Sequence, residues 1–269
     1  MFVDSHFHFF TESEEDKYET IGKDNRQIVE DALEAGVSKM LAVSASYDDW
    51  KTIRHFIEGF KGKVFGSFGF HPHEASEIDF DSEEMQLENL IKHFEMLGDG
   101  FVAIGECGLD YAFPDTDKEA QKRLFDLQVE MALRLKKPLI IHTREADEDV
   151  YPILKKFAEK GGMAVIHCWT GDEEYVKKYL DLGFYVSCSG ITTFKKSLDL
   201  QNQFKNIVPM DRLLVETDAP YLAPVPVRGK VNVPFNVKYV AEFVANMKEI
   251  GQEEFNKQVE NNFNNLFLK

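Results

Sequence analysis

The chain has 269 residues, 43% of them hydrophobic, and a formal net charge of −16. With no glycine-serine or proline-rich linker, that length fits either two small domains or one large α/β barrel. So acidic a balance argues against a protein that grips long nucleic acid through a broad basic face.

Strand-like apolar runs recur along the chain, each followed by a charged segment with helical periodicity. In order they are Phe2 to His6, Lys39 to Ser44, Val64 to Phe70, Phe101 to Cys107, Leu139 to Thr143, Met163 to Cys168, Phe184 to Ser189 and Leu213 to Thr217. Among the intervening segments, Asp24 to Ala35 places Ile28, Val29, Ala32 and Leu33 on one face and ends at Gly36. Lys118 to Lys136 does the same with Leu124, Leu127, Met131 and Leu135. Two further helical patterns, Asn236 to Ile250 and Glu253 to Phe267, close the chain, one more than a minimal barrel requires. Eight strands alternating with helices predict a (β/α)8 TIM barrel with an extra C-terminal helix, a single domain over residues 1–269. The start lacks a basic segment leading into an apolar core and cleavage site, and no apolar run approaches the roughly 18 residues of a membrane span. The expectation is a soluble, cytoplasmic protein with no membrane association. Cys107, Cys168 and Cys188 each fall in a strand candidate and read as buried small hydrophobes, not disulfide partners.

In such a barrel, chemistry sits where the strands end. His6 and His8 are two apart, so an extended strand points both imidazoles to one face while Phe7 and Phe9 take the other. Strand four carries Glu106, strand five His142, strand six His167 and strand eight Asp218, each after three or more mostly apolar residues. Four imidazoles and two carboxylates converging on one mouth would hold two divalent ions, with a carboxylate able to bridge them. The donor set suits Mg2+, Mn2+ or Zn2+. Such a pair makes a water nucleophilic near neutral pH, and Asp218 can take the proton from that water.

The motifs Asp4-Ser-His-Phe-His8, Gly69-Phe-His-Pro-His73, Ile104-Gly-Glu-Cys-Gly-Leu-Asp-Tyr111, His142-Thr-Arg-Glu-Ala146, His167-Cys-Trp-Thr-Gly171, Glu216-Thr-Asp-Ala-Pro-Tyr-Leu-Ala-Pro224 and Arg228-Gly-Lys-Val-Asn232 together resemble the TatD-like metal-dependent deoxyribonucleases of the amidohydrolase superfamily. The resemblance runs through nearly the whole chain. It implies that His6, His8, Glu106 and Asp218 hold one metal, that Glu106, His142 and His167 hold the other, and that Glu106 bridges them. It also implies a 3′ to 5′ exonuclease that prefers single strands. Phosphotriesterase-like and dihydroorotase-like relatives commonly bridge their metals with a modified lysine, so a glutamate on strand four favours phosphodiester substrates by analogy. One departure is Asn232-Val-Pro234, where the family usually reads Asn-Glu-Pro.

The remaining candidates have lesser roles. His71 is expected to contact a substrate phosphate, with Arg144, Arg228 and Lys230 nearby, whereas His73 is expected to be structural. Lys195 and Lys196 read as a solvated helix face. Asp4 and Glu216 stand two residues before His6 and Asp218 and read as supports of those ligands. Trp169, Tyr111 and Tyr221 either stack on a base or pack the loops, and His55 and His93 read as surface residues. The expected substrate is DNA, as strand ends or short single strands, with no obligate protein partner evident. A hydrolase of a small phosphoester or amide metabolite is the alternative that the acidic balance favours. A non-enzymatic barrel fits poorly with a complete ligand set.

Overall fold

Runs of Val, Ile, Leu and Phe that must bury both faces demand a parallel sheet covered by helices. The computed structural model describes residues 1–10, 21–77, 83–113 and 115–269. Its strands are β1 (Phe2–Phe7), β2 (Val37–Ala42), β3 (Val64–Phe68), β4 (Phe101–Asp110), β5 (Leu139–Arg144), β6 (Ala164–Ile166), β7 (Tyr185–Cys188) and β8 (Leu213–Val215). They form one eight-stranded parallel sheet in sequence order, as the alternating pattern predicts. Between them run α1 (Asn25–Glu34), α2 (Asp49–Gly59), α3 (Glu83–Leu97), α4 (Lys118–Leu135), α5 (Asp147–Glu159), α6 (Glu173–Asp181) and α7 (Leu198–Asn206), followed by α8 (Val237–Met247) and α9 (Gln252–Phe267). The architecture is a TIM barrel. The extra helix, α9, packs on α8 and on β1 and β8, and buries Phe255, Val259, Phe263 and Phe267.

The barrel closes between its first and last strands through polar groups as well as backbone. Asp218 N–H donates to the His6 carbonyl at 2.9 Å and His8 N–H to the Ala219 carbonyl at 2.7 Å. Below them Asp4, fully buried, accepts from Thr217 N–H at 2.9 Å and from the Thr217 hydroxyl at 2.6 Å. The closing seam therefore aligns His6, His8 and Asp218 with one another.

Local sequence explains the flanking elements. Asp24 caps α1 by accepting from Gln27 N–H, and Asp117 caps α4 by accepting from Ala120 N–H. The apolar stripe of α4, including Leu124, Phe125, Met131 and Ala132, is buried against β4. Gln128 on the same helix exchanges two hydrogen bonds with the Phe70 backbone, at 2.8 and 3.0 Å, and so fixes the loop that carries His71.

Several boundaries differ from the sequence expectation. β4 runs on to Asp110 and β5 to Arg144, whereas β6 stops at Ile166 and β8 at Val215. His167, Cys168 and Asp218 therefore lie just beyond their strands, with Cys168 and Asp218 at φ of +44° and +55°. Cys168 is accordingly half-buried, not a core residue, and its Sγ lies 3.1 Å from Ser189 Oγ. Lys195 and Lys196 occupy an exposed turn before α7, not a helix face. Among the described residues, no helix is long and apolar enough to cross a membrane.

Candidate metal centre

Six side chains meet at the carboxyl ends of the strands. His6 Nε2 and His8 Nε2 are 3.1 Å apart; Glu106 Oε2 lies 3.4 and 3.5 Å from them, and Asp218 Oδ1 lies 3.7 and 3.6 Å from them. A tetrahedral site with ligand bonds of about 2.1 Å has donor-to-donor edges of about 3.4 Å, close to the distances that His6, His8 and Glu106 keep from one another. On the other side, Glu106 Oε1 lies 2.7 Å from His142 Nδ1 and 2.8 Å from His167 Nε2, which are 3.5 Å from each other. Glu106 thus turns one oxygen to each donor set. Nitrogen and carboxylate donors in this mixture fit Zn2+ or Mn2+ and tolerate Mg2+.

The rings are held from behind. His8 Nδ1 lies 3.0 Å from the Val43 carbonyl, which can only accept, so Nδ1 carries the proton and Nε2 is free to ligate. His167 Nδ1 stands 3.3 Å from Glu216 Oε1, and Glu216 also accepts from Cys168 N–H at 2.7 Å. His6 stacks on His167 with centroids 4.0 Å apart. His71 Nδ1 accepts from His73 N–H at 3.2 Å, which places the neutral ring's proton on Nε2, 3.8 Å from Glu106 Oε1. His71 therefore offers a donor to the cavity where the others offer lone pairs.

Burial and charge set the protonation of the metal-free cluster. Burial, aided by His167, depresses His6 to about 4, and burial depresses His71 to about 3. Burial opposes protonation of His8 too, but Asp218 and Glu106 outweigh it and raise that ring to about 9. His142 and His167 are likewise raised against burial, the first by Asp110 and Glu106, the second by Glu106 and Glu216. Glu106 is held well below the usual carboxylate range because His167, His142 and His6 overcome its desolvation. Without metal the cluster stores protons, which an ion must displace.

The other sequence candidates divide. Asp4 serves the barrel seam by binding Thr217, whereas Glu216 stands beside His167. Arg144 and Arg228 are exposed, their guanidinium groups over the rings of Phe113 and Phe194 at 5.6 and 4.2 Å. Lys230 is exposed and lines a groove with Ile21, Val233 and Tyr239. Val233, where the family usually has glutamate, is buried against Phe10 and Ile28. Trp169 is buried, donates to Gln203 and packs on Tyr179, so it is a core residue. Tyr111 donates to Asp149 under Lys118, while Tyr221 is exposed beside His8. His55 and His93 are exposed as expected. The residue to which sequence analysis gave no role is Asp110, buried on β4 with its Oδ2 3.2 Å from His142 Nε2 and 3.2 Å from His73 Nε2. It stands four positions after Glu106, and the even spacing along one strand was the signal available.

A parallel eight-stranded barrel with paired His and carboxylate donor sets at its mouth defines a metal-dependent hydrolase. The sequence model of the "TatD related DNase" family matches residues 3–268, and the chain belongs to that family. It is 39% identical over 267 residues to the "Uncharacterized metal-dependent hydrolase YcfH" of Escherichia coli K12, covering 98% of this chain and 95% of that one. It is 32% identical over 248 residues to the "3'-5' ssDNA/RNA exonuclease TatD" of Pantoea ananatis, with coverage of 91% and 93%. Among solved structures, the TatD homologue YJJV from Escherichia coli K12 superposes with a TM-score of 0.83 at 24% identity, covering 100% of this chain and 98% of that one.

Proposed function

We propose that the protein, as one catalytic domain over residues 1–269, hydrolyses phosphodiester bonds as a 3′ to 5′ exonuclease on single-stranded DNA ends or short single strands. The observation that carries this reading is the division of Glu106 between two donor sets, which suits a two-ion centre. His6, His8, Glu106 and Asp218 would hold one divalent ion, and Glu106, His142 and His167 the other. Bound Mg2+, Mn2+ or Zn2+ would supply Lewis acidity and lower the pKa of water toward neutrality.

The chain's own groups then divide the work. Asp218 turns Oδ1 toward His6 and His8, leaving its second oxygen to accept the proton of the attacking water. His71 donates from Nε2 to a non-bridging phosphate oxygen. Glu216 keeps the His167 ring oriented, and Asp4 keeps Asp218 in register with β1 through Thr217. Arg144 and Arg228 meet flanking phosphates, with Lys230 further along the last loop. The family membership and the exonuclease among its relatives support the substrate class.

A second reading, a hydrolase of a small phosphoester or amide metabolite, is favoured by the net charge of −16 and the small number of exposed cations assigned to phosphates. Product analysis on 3′-labelled and 5′-labelled single strands, with each of the three metals, separates the two. Stepwise shortening from the 3′ end supports the exonuclease. Intact strands together with turnover of a small phosphoester support the alternative.

A further inference from the structure

His142, like His167, is a cluster imidazole whose second nitrogen meets a carboxylate outside the two donor sets. Its Nδ1 lies 2.7 Å from Glu106 Oε1, and its Nε2 lies 3.2 Å from Asp110 Oδ2. Asp110 is 1% exposed, and its own place is fixed on three sides. Oδ1 accepts from Ala112 N–H at 3.0 Å, the Asp110 N–H donates to Gln121 Oε1 on α4 at 2.9 Å, and β4 pairs Asp110 with Arg144 of β5. His73 approaches the same Oδ2 from the mouth, with its Nε2 at 3.2 Å. Gly108 lets β4 run this close to β5, because a Cβ there would lie 1.9 Å from the His142 carbonyl oxygen at a φ of +143°.

We propose that Asp110 is the positioning residue of this centre: it accepts a hydrogen bond from His142 Nε2–H and thereby presents the Nδ1 lone pair beside Glu106. The inference rests on the reading of His142 as a metal ligand. In the metal-free cluster each His142 nitrogen faces a carboxylate, Glu106 at 2.7 Å and Asp110 at 3.2 Å; with an ion on the Nδ1 lone pair, Asp110, an acceptor only, would hold the remaining proton on Nε2 and so fix the ring's tautomer and plane. A backbone carbonyl performs this service for His8 and Glu216 stands in that place for His167, so three of the four rings are steered by what lies behind them. His73, sharing Oδ2, ties the same carboxylate to the loop that carries His71. Asp110 belongs to neither donor set that Glu106 shares and lies instead in a neighbouring group with His71 and His142; its role is exerted through His142.

The test begins with the zinc-loaded protein carrying 15N-labelled histidine. Nitrogen–proton correlation spectra should show His142 protonated at Nε2 and ligated at Nδ1, its signals identified by their loss in His142→Asn. Asp110→Ala should weaken one of two zinc ions by about 10- to 100-fold in a competition titration and leave the other within about twofold. On a short single strand its kcat should fall by a similar factor while KM changes little, and Asp110→Asn, which keeps one acceptor oxygen, should recover part of both losses. An Asp110→Ala protein with a lowered melting temperature but normal zinc affinity would make Asp110 merely structural and overturn the proposal. So would three ions per chain falling to two, which would make Asp110 a ligand itself. If Asp110→Ala does not fold, the wild-type spectrum decides alone, since a His142 proton on Nδ1 is incompatible with the proposal. None of the zinc readouts depends on the substrate, so loss of the exonuclease reading would leave this inference intact.

Discussion

Replacing Glu106 by Gln tests the centre at the atom pair on which it depends. The substitution keeps the volume but exchanges one of two acceptor oxygens for an amide N–H2. Either His142 and His167, at 2.7 and 2.8 Å, or His6 and His8, at 3.4 and 3.5 Å, then face donor hydrogens in place of an anionic oxygen. One donor set loses the anionic oxygen it faces whichever way the amide turns. Turnover should fall by at least about 10²-fold, equivalent to roughly 2.7 kcal/mol of transition-state stabilisation. The metal content should drop from two ions per chain toward one. Folding suffers less, because the imidazoles that Glu106 keeps protonated can release their protons once the carboxylate is gone. In chelated protein the difference in melting temperature between wild type and Glu106→Gln should therefore be larger at pH 6 than at pH 9. The assay pairs initial rates on a 3′-labelled single strand with metal analysis of the same samples and circular dichroism as the control. Turnover within tenfold of wild type, in a folded variant that still binds two ions, would refute the bridging role.

Asp218→Asn should likewise reduce turnover by at least about 10²-fold with little loss of fold, since it removes both a ligand charge and the proton acceptor; near-normal rates at saturating metal would remove Asp218 from the mechanism. Metal-free protein should be most stable near pH 6.5. Below that value the unfolded chain binds more protons than folded His6 and His71, depressed to about 4 and about 3, so stability is lost as pH falls; above it folded His8, raised to about 9, binds the extra proton, and stability is lost as pH rises to 9. Melting curves in chelator from pH 5 to 9.5 should show the maximum, and a monotonic rise would contradict it. Arg144→Ala and Arg228→Ala should raise KM for oligonucleotides more than for a small chromogenic phosphodiester, chiefly at low salt. With only these two residues and Lys230 as phosphate contacts, the log-log salt slope for single-strand binding should be no steeper than about −2, so a slope near −5 would expose a basic track not assigned to the site.

Most of the barrel was legible because its signals are periodic. Apolar runs of strand length and stripes of helical spacing identify β1 to β8 and the buried faces of α1 and α4 without knowledge of distant contacts. The six cluster residues were legible for a related reason, since each follows an apolar run that a barrel buries. The misreadings lie where the backbone leaves the period. His167, Cys168 and Asp218 sit past the last ladder bond, two of them at positive φ, so strands six and eight end earlier than the hydrophobic pattern does. For Trp169 the sequence left base stacking and packing both open; its side chain turns inward to Gln203, a partner 34 residues away that no local pattern could select. Asp110 carried the even spacing from Glu106, but its meaning depends on His142 and His73 arriving from two other segments.

Charge is where sequence and site pull in different directions. A chain of net charge −16 repels a polyanion at long range, yet a field of that sign gathers divalent cations into a cleft lined by Glu106 and Asp218. Two bound divalent ions facing those two carboxylates and neutral imidazoles would leave roughly two positive charges at the mouth. Beyond a Debye length of about 8–10 Å that local excess is screened and the acidic surface prevails. An anionic substrate therefore gains from the centre only over the one or two phosphates nearest the reacting bond. That balance suits the end of a strand, whose terminal phosphodiester can enter while the rest stays in solvent, and it disfavours a duplex laid along the surface. The same electrostatics thus favour capture of the metals and limit the length of substrate the centre can hold, which is why the exonuclease reading accommodates an acidic chain better than an endonuclease that wraps its substrate.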